Sequence, residues 1–297
     1  MTGERQKTRS KAIEAPQFLV SDDELRLIDM ALEEDRGAGD WTTRWVVPAR
    51  ARAYARIVAK AEGVIAGLAV ASAVFQRIDP RVEINSALAD GSKVKEGDVV
   101  LTLKGPARTI LTGERTALNF LQHLSGIASA TRKYADAVAG TEAKILDTRK
   151  TTPGWRSLEK AAVKAGGGEN HRIGLFDMVL IKENHIAIAG GVGEAVKRVR
   201  DANTRGLRVE VEVRDKDELR AALDAGCDII LLDNMDVQGI RECVRVVKQR
   251  APQVKTEASG NMTLERVRAV AETGVDYISV GALTHSVTAL DLSLLMS

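Results

Sequence analysis

The chain has 297 residues, of which 44% are apolar and 28% are charged, as in ordinary globular proteins. This composition excludes an intrinsically disordered chain, a collagen-like repeat and a disulfide scaffold. Because the formal net charge is only +2 and ten residues are aromatic, we expect neither a basic nucleic-acid surface nor a stacking platform for single strands.

The cysteine content and the hydropathy pattern indicate a cytoplasmic protein without a membrane partner. The two cysteines, Cys227 and Cys243, are too few for a disulfide framework and lack metal-ligand spacing, which favours a reducing compartment. The longest apolar run, Gly63 to Phe75, is shorter than the roughly 20 residues that a bilayer span requires.

The first hundred residues divide into a polar leader, a helix and a β-rich region. Residues 1–16 show no apolar period and are predicted to be a disordered leader. Ser21 is placed to cap a helix over Asp22–Glu34. Short β-prone runs follow between Gly and Asp turns, and Gly91–Gly105 resembles the turn-and-strand unit of lipoyl or biotinyl carriers. A carrier would need a modified lysine at a hairpin tip, and no such tip is evident.

A long helix and a repeated strand-helix unit make up the remainder. The helix runs from Pro106 to about Val138 and is expected to loosen at Ser125 and Gly126. Alanine-rich helical segments, such as Lys216–Ala225 and Thr263–Glu272, then separate most of six apolar, β-branched runs. The runs are Lys144–Leu146, Met178–Ile181, Leu207–Val213, Asp228–Leu232, Val254–Glu257 and Tyr277–Val280. This alternation predicts parallel βαβ units and an α/β barrel.

Polar residues and glycines end or follow each predicted strand. They are Asp147 to Lys150, Lys182, Glu212, Asp233, Ser259 to Asn261, and Gly281. The carboxyl ends of barrel strands form one mouth, so these positions are expected to converge on a single site.

The residue types at these positions indicate a ligand with several negative charges. The cationic candidates for such an anion are Arg149, Lys150, Arg172 and Lys182, with Arg115 and His171 as further members. Glu212 and Asp233 are suited to Mg²⁺ or to ribose hydroxyls. Backbone N–H groups of Ser259, Gly260, Asn261, Gly281 and Ala282 are suited to a phosphate.

Several of these features have simpler interpretations. Arg115 fits an exposed helical ion pair, and His171 fits a hydrogen-bonded structural histidine. Gly166–Leu175 lacks the Gly-Lys-Ser/Thr of a nucleotide-binding loop, so a flexible connection and a binding loop are equally open. Lys182 at a strand end also fits a Schiff-base aldolase.

Long ordered motifs identify a family resemblance that extends from about Leu25 to the C-terminus. The motifs include GERTALNFLQHLSGIAS from Gly113, DTRKTTPGWRSLEKAAVKAGGGENHRIGL from Asp147, DMVLIKENH from Asp177, DIILLDNM from Asp228, EASGNMTLERV from Glu257 and ISVGALTHS from Ile278. On these motifs, the chain resembles quinolinate phosphoribosyltransferases, also called carboxylating nicotinate-nucleotide pyrophosphorylases.

The resemblance implies a fold and a reaction. The fold is an N-terminal α/β sandwich with a hammerhead-like element over residues 17–116, an α/β barrel over 117–284 and a segment, 285–297, that returns to the N-terminal domain. The reaction is Mg²⁺-dependent transfer of the phosphoribosyl group from phosphoribosyl pyrophosphate to quinolinate, with loss of CO₂, in NAD biosynthesis.

The resemblance also implies roles for individual residues. Quinolinate would be bound by Thr148, Arg149, Lys150, His171, Arg172 and Lys182, with Arg115 reaching in from the partner subunit of a homodimer or of a higher oligomer. Glu212 and Asp233 would face the ribose and Mg²⁺, directly or through water, and act in catalysis with Lys150 and Lys182. The 5-phosphate would be bound by Ser259, Gly260, Asn261, Gly281 and Ala282.

Competing functions make different demands on the site. A related phosphoribosyltransferase that acts on nicotinate, or one found with molybdate transport, would need fewer cations, because two carboxylates need more cationic partners than one. A Schiff-base lyase would use Lys182 covalently, and a carrier would use the hammerhead segment without catalysis.

Overall fold

The computed structural model describes residues 20–297, so the predicted leader at residues 1–16 lies outside the described residues. The helices are α1 Asp22–Arg36, α2 Trp41–Val46, α3 Leu68–Ile78, α4 Ala107–Ala137, α5 Arg156–Ala165, α6 Glu183–Ala189, α7 Val192–Ala202, α8 Lys216–Ala225, α9 Val237–Arg250, α10 Leu264–Ala271 and α11 Ala282–His285. The strands are β1 Arg52–Ala59, β2 Gly63–Val64, β3 Glu83–Asn85, β4 Lys93–Val94, β5 Val99–Pro106, β6 Lys144–Leu146, β7 Val179–Ile181, β8 Val209–Val213, β9 Ile229–Asp233, β10 Lys255–Ser259, β11 Tyr277–Ser279 and β12 Leu292–Met296.

Helix α1 begins where the sequence predicts and ends two residues later than predicted, at Arg36. Ser21 accepts a hydrogen bond from the Glu24 backbone N–H, and the Glu24 carboxylate accepts one from the Ser21 N–H. This reciprocal pair satisfies two amides that the first helical turn leaves free. The predicted strands shift by similar amounts: β9, for example, includes Asp233 instead of ending at Leu232.

The prediction that the long helix loosens at Ser125 and Gly126 is wrong, because α4 is continuous from Ala107 to Ala137. Ser125 Oγ accepts from the Ala66 N–H at 3.0 Å, and a Cβ on Gly126 would overlap the Thr288 carbonyl. The two small residues thus permit close packing against other segments. The predicted domain boundary between residues 116 and 117 falls inside this helix.

The N-terminal part is built on an antiparallel sheet with strand order β12-β1-β5-β3. The C-terminal strand β12 pairs with β1, with Ala55 opposite Met296, so the last strand of the chain completes the sheet of the N-terminal part. Helix α4 packs against this sheet, and α3 packs against α4 and α1. Phe75 and Val74 of α3 are completely buried.

The C-terminal part is a six-stranded parallel sheet with order β6-β11-β10-β9-β8-β7. The edge strands β6 and β7 are not paired with each other within residues 20–297, and an isolated bridge joins Leu146 of β6 to Glu169 in the following loop. In β8, Val209, Val211 and Val213 are fully buried. None of the helices in residues 20–297 is long and apolar enough to cross a membrane.

Candidate active site

The carboxyl ends of the parallel strands surround a cavity of about 770 Å³. Thirteen of the fourteen predicted site residues line it. They come from the segments after β6, α5, β7, β10 and β11, from the ends of β8, β9 and β10, and from the first residue of α11. They are Thr148, Arg149, Lys150, His171, Arg172, Lys182, Glu212, Asp233, Ser259, Gly260, Asn261, Gly281 and Ala282. The residues that the sequence places at one mouth therefore do lie around one cavity.

Two arginines give one side of the cavity an unbalanced positive charge. The Nε atoms of Arg149 and Arg172 are buried and have no hydrogen-bond partner among the described residues. Burial, followed by repulsion from the charge of Arg149, lowers the pKa of Arg172. Because a buried charged donor without an acceptor is unfavourable, this side of the cavity is suited to an anion that accepts from both guanidinium groups.

His171 lies between this cationic side and two buried glutamates. Its Nε2 is 2.9 Å from Glu210 Oε2 on β8 and 3.5 Å from Glu257 Oε2 on β10. Both glutamates are almost completely buried, and Glu210 Oε1 has no partner among the described residues. These three side chains bring possible metal-ligand atoms within 4.8 Å of one another. A separation of 2.9 Å is that of a hydrogen bond, so the contact needs a proton and no metal ion.

The surroundings of His171 favour its charged form. Burial by itself lowers the pKa of His171, but the hydrogen bonds and the charges of Glu210 and Glu257 raise it to about 10. The Arg172 N–H also donates to His171 Nδ1 at 2.8 Å, which requires an unprotonated nitrogen there. That bond is one contact between adjacent residues, whereas a neutral ring would leave the buried Glu210 and Glu257 side chains without this cation. We therefore assign a raised pKa to His171.

A buried ion pair supports the loop that carries His171. Lys160 Nζ on α5 donates to Asp147 Oδ1, and it also donates to the His171 carbonyl at 3.0 Å. The His171 N–H donates to the same Asp147 oxygen at 2.9 Å. Both charged side chains are at most 1% exposed. Because Asp147 follows β6 and both side chains bond to the His171 backbone, the pair connects the end of β6 to the loop that follows α5.

Lys150, Lys182, Glu212 and Asp233 line the same cavity, and Glu212 lies near both Asp233 and Lys182. Burial, followed by the charge of Asp233, raises the pKa of Glu212, and Lys182 opposes that shift. Asp233 Oδ2 accepts a hydrogen bond from Asn234 Nδ2 at 2.6 Å. Carboxylates and ammonium groups therefore lie close together in this part of the cavity.

The loops after β10 and β11 expose backbone to the cavity. Gly260 has φ +90°, and a Cβ there would collide with the Asn234 side chain. A Cβ on Gly281 would lie 3.1 Å from Lys150 Cδ and 3.2 Å from His285. A side chain is therefore excluded at Gly260 and crowded at Gly281, and glycine at both positions lets an anion approach the backbone N–H groups.

Arg115 is the predicted site residue that does not line the cavity. It lies on α4 and its side chain is exposed to solvent. The structure thus separates Arg115 from the other thirteen residues of its own chain.

The sequence interpretation did not include several residues that contact the cavity or support it. Glu257, Asn234 and His285 line the cavity, and Glu210 contacts His171 below it. The alternation in Val209–Val213 could have identified Glu210, because residues 210 and 212 share one face of a strand. No comparable sequence signal identifies Asn234 or His285.

Comparisons with known proteins agree on one family. The profile described as "Quinolinate phosphoribosyl transferase, C-terminal domain" matches residues 127–295, and the corresponding N-terminal profile matches residues 40–125. The two matches meet inside α4.

Curated and solved relatives cover nearly all of the chain. A protein of Bacillus subtilis (strain 168) named "Probable nicotinate-nucleotide pyrophosphorylase [carboxylating]" is 44% identical over 91% of this chain and 92% of its own length. A Nicotiana tabacum protein named "Quinolinate phosphoribosyltransferase [decarboxylating] 2b, mitochondrial" is 45% identical over 90% of this chain and 80% of its own. The nicotinate-nucleotide pyrophosphorylase structure from Francisella tularensis superposes with a TM-score of 0.89 at 40% identity, covering 96% of this chain and 100% of that one.

Proposed function

Because the chain belongs to the quinolinate phosphoribosyltransferase family, we propose that it transfers the phosphoribosyl group of phosphoribosyl pyrophosphate to quinolinate. The products are nicotinate mononucleotide, pyrophosphate and CO₂, and the reaction serves NAD biosynthesis. The curated relatives carry names for this same reaction.

One observation in the site favours quinolinate over nicotinate as the substrate. Arg149 and Arg172 have buried Nε atoms without acceptors among the described residues, and burial, followed by the charge of Arg149, lowers the pKa of Arg172. A pyridine with two adjacent carboxylates supplies an acceptor to each guanidinium and relieves the repulsion between them. Nicotinate, with one carboxylate, would leave one of the two arginines unpaired.

The donor set around Glu212 and Asp233 fits Mg²⁺. Mg²⁺ takes one or two carboxylates and completes its octahedral shell with water and substrate phosphates. Burial, followed by the charge of Asp233, raises the pKa of Glu212, and a bound cation would favour the ionised form of both carboxylates. Bound there, Mg²⁺ would supply positive charge to the pyrophosphate oxygens.

The charged side chains that line the cavity with the arginines account for the first step. As the bond between the ribose anomeric carbon and pyrophosphate breaks, Lys150 and Lys182 neutralise the negative charge on the leaving group. Glu212 and Asp233 offset the positive charge that develops on the sugar. The pyridine nitrogen then forms a bond to the anomeric carbon, so the protein contributes positioning and charge and no covalent step.

The second step follows from the charge on the ring. The pyridinium withdraws electrons from the carbon next to the nitrogen, the bond from this carbon to its carboxylate breaks, and CO₂ leaves. The electron pair of the broken bond remains on the ring carbon, and this carbon then takes up a proton to form a C–H bond. Arg149, Arg172 and His171 hold the ring through its carboxylates during this change.

The activity itself is the first test. With Mg²⁺, the protein is expected to convert quinolinate and phosphoribosyl pyrophosphate to equal amounts of nicotinate mononucleotide, pyrophosphate and CO₂, and addition of EDTA should stop the reaction. Turnover of nicotinate at a comparable rate would favour the related nicotinate enzyme, and covalent trapping of a ketone by borohydride on Lys182 would favour the lyase.

A substitution at Gly260 tests the phosphate end. Gly260→Val is expected to raise the KM for phosphoribosyl pyrophosphate at least tenfold, because its φ of +90° disfavours a side chain and a Cβ would displace Asn234. Gly190→Val is the control, since Gly190 also has a positive φ but has open space around it. Steady-state kinetics would contradict this assignment if the KM for quinolinate changed instead.

Complementation tests whether Arg115 acts across a homodimer. We propose that Arg115 reaches the partner subunit's site, because it is exposed on α4 and outside its own cavity. Mixing Arg115→Ala with Lys182→Ala protomers should restore activity, since one of the two sites in each heterodimer has both residues intact. If mass spectrometry shows subunit exchange and the mixture stays inactive, Arg115 acts within its own chain.

A further inference from the structure

Two arginines outside the cavity each connect two of the loops that form it. Arg156 is the first residue of α5, and Arg266 lies in the first turn of α10. Both are partly buried, and neither is among the residues that line the cavity. Their guanidinium groups donate to acceptors in these loops, most of them backbone carbonyls.

Arg156 joins the loop after β6 to the loop after α5. Its Nε donates to Thr151 Oγ1 at 2.9 Å, and its Nη1 donates to the Ile173 carbonyl at 3.1 Å. A longer contact of 3.4 Å runs from Nη2 to the Arg149 carbonyl. The connected backbone therefore belongs to Arg149 itself and to the residue that follows Arg172.

Arg266 joins the loop after β9 to the loop after β10. Its Nη1 donates to the Gly260 carbonyl at 3.0 Å, with a longer contact of 3.5 Å to the Asn261 carbonyl. Its Nη2 donates to the Met235 carbonyl, two residues beyond Asp233. This arginine thus connects the loop of the catalytic carboxylate to the glycine loop of the phosphate end.

The chemistry of the guanidinium explains why arginine stands at both positions. A cation in the first turn of a helix meets the positive end of the helix dipole, so helix formation does not favour these residues there. The planar guanidinium directs several N–H donors at fixed angles, an arrangement called here the fork, and can hold two loops in one relative position. A lysine ammonium has no such fixed set of donors.

We propose that Arg156 and Arg266 are positioning residues that separately set the geometry of the two ends of the site. Arg156 fixes the spacing of Arg149 and Arg172 for quinolinate, and Arg266 fixes the loops of Asp233 and Gly260 for phosphoribosyl pyrophosphate. The inference rests on the proposed function for the assignment of the two ends.

The test is a pair of substitutions that keep the charge and remove the fork. Arg156→Lys is expected to raise the KM for quinolinate about tenfold or more, and to leave the KM for phosphoribosyl pyrophosphate within about twofold. Arg266→Lys is expected to show the reverse pattern. A change in position of a fraction of an ångström is sufficient for effects of this size.

The matched control is Arg268→Lys on the same helix as Arg266. Arg268 Nη1 donates to the Ala139 carbonyl at 2.8 Å, a bond of the same kind that lies outside the cavity. This variant should leave both KM values unchanged. The melting temperature of each of the three variants, measured by circular dichroism, shows how far that variant is destabilised.

The outcomes separate this inference from the proposed function. If the unsubstituted protein does not turn over quinolinate and phosphoribosyl pyrophosphate, the proposed function fails and the inference falls with it. If that protein is active and the two variants change both KM values equally, or neither, the inference alone is overturned. Wild-type kinetics in both lysine variants would show that positive charge suffices and that the fork has no role.

Discussion

Lys182→Met is expected to lower kcat/KM by a factor of about 10²–10³, because a cation next to the leaving pyrophosphate is removed. Lys182 is the single residue between β7 and α6 and lines the cavity near Glu212. Burial, followed by the charge of Asp233, raises the pKa of Glu212, and the charge of Lys182 opposes that shift. The loss should be mainly in kcat, since charge on the leaving group develops only as the bond breaks.

The control for this substitution is Lys197→Met, which removes an exposed lysine from α7 outside the cavity. It should retain unchanged kinetics. Unaltered kcat in Lys182→Met, measured at saturating concentrations of both substrates, would exclude Lys182 from the chemical step.

Lys160→Met is expected to lower the free energy of unfolding by about 3–5 kcal/mol, because it leaves Asp147 buried without its cation. Asp147 is fully buried and Lys160 is 1% exposed. Burial raises the pKa of Asp147, and Lys160 and the His171 N–H oppose that shift, so loss of the ammonium makes the ionised carboxylate costly. Urea unfolding followed by circular dichroism measures the change.

Two further variants identify the cause of this loss. Lys164→Met removes an exposed lysine from the same helix and should change the free energy of unfolding by less than about 0.5 kcal/mol. The double variant Lys160→Met with Asp147→Asn removes both charges of this pair and should recover part of the stability. Equal losses in the single and the double variant would show that lost packing, and not the unpaired charge, is responsible.

The sequence by itself determined the parallel architecture and the place of the candidate site. Apolar β-branched runs that alternate with alanine-rich segments can bury both faces of a strand only in a parallel sheet covered by helices. Since the carboxyl ends of such strands share one edge, the residues after the strands were enough to place Lys182, Glu212 and Asp233 around one cavity.

Only the tertiary structure decided how the site is supported. His171 meets Glu210 and Glu257 because β8 and β10, with β9 between them, direct these side chains to the same face of the sheet. The pairing of Asp147 with Lys160 depends on where α5 packs. In the same way, the contact of Ser125 with the Ala66 backbone depends on the position of α4. Residue type and spacing report which face of an element a side chain occupies, but a contact between distant segments depends on sheet twist, helix packing and loop path, which no local pattern encodes.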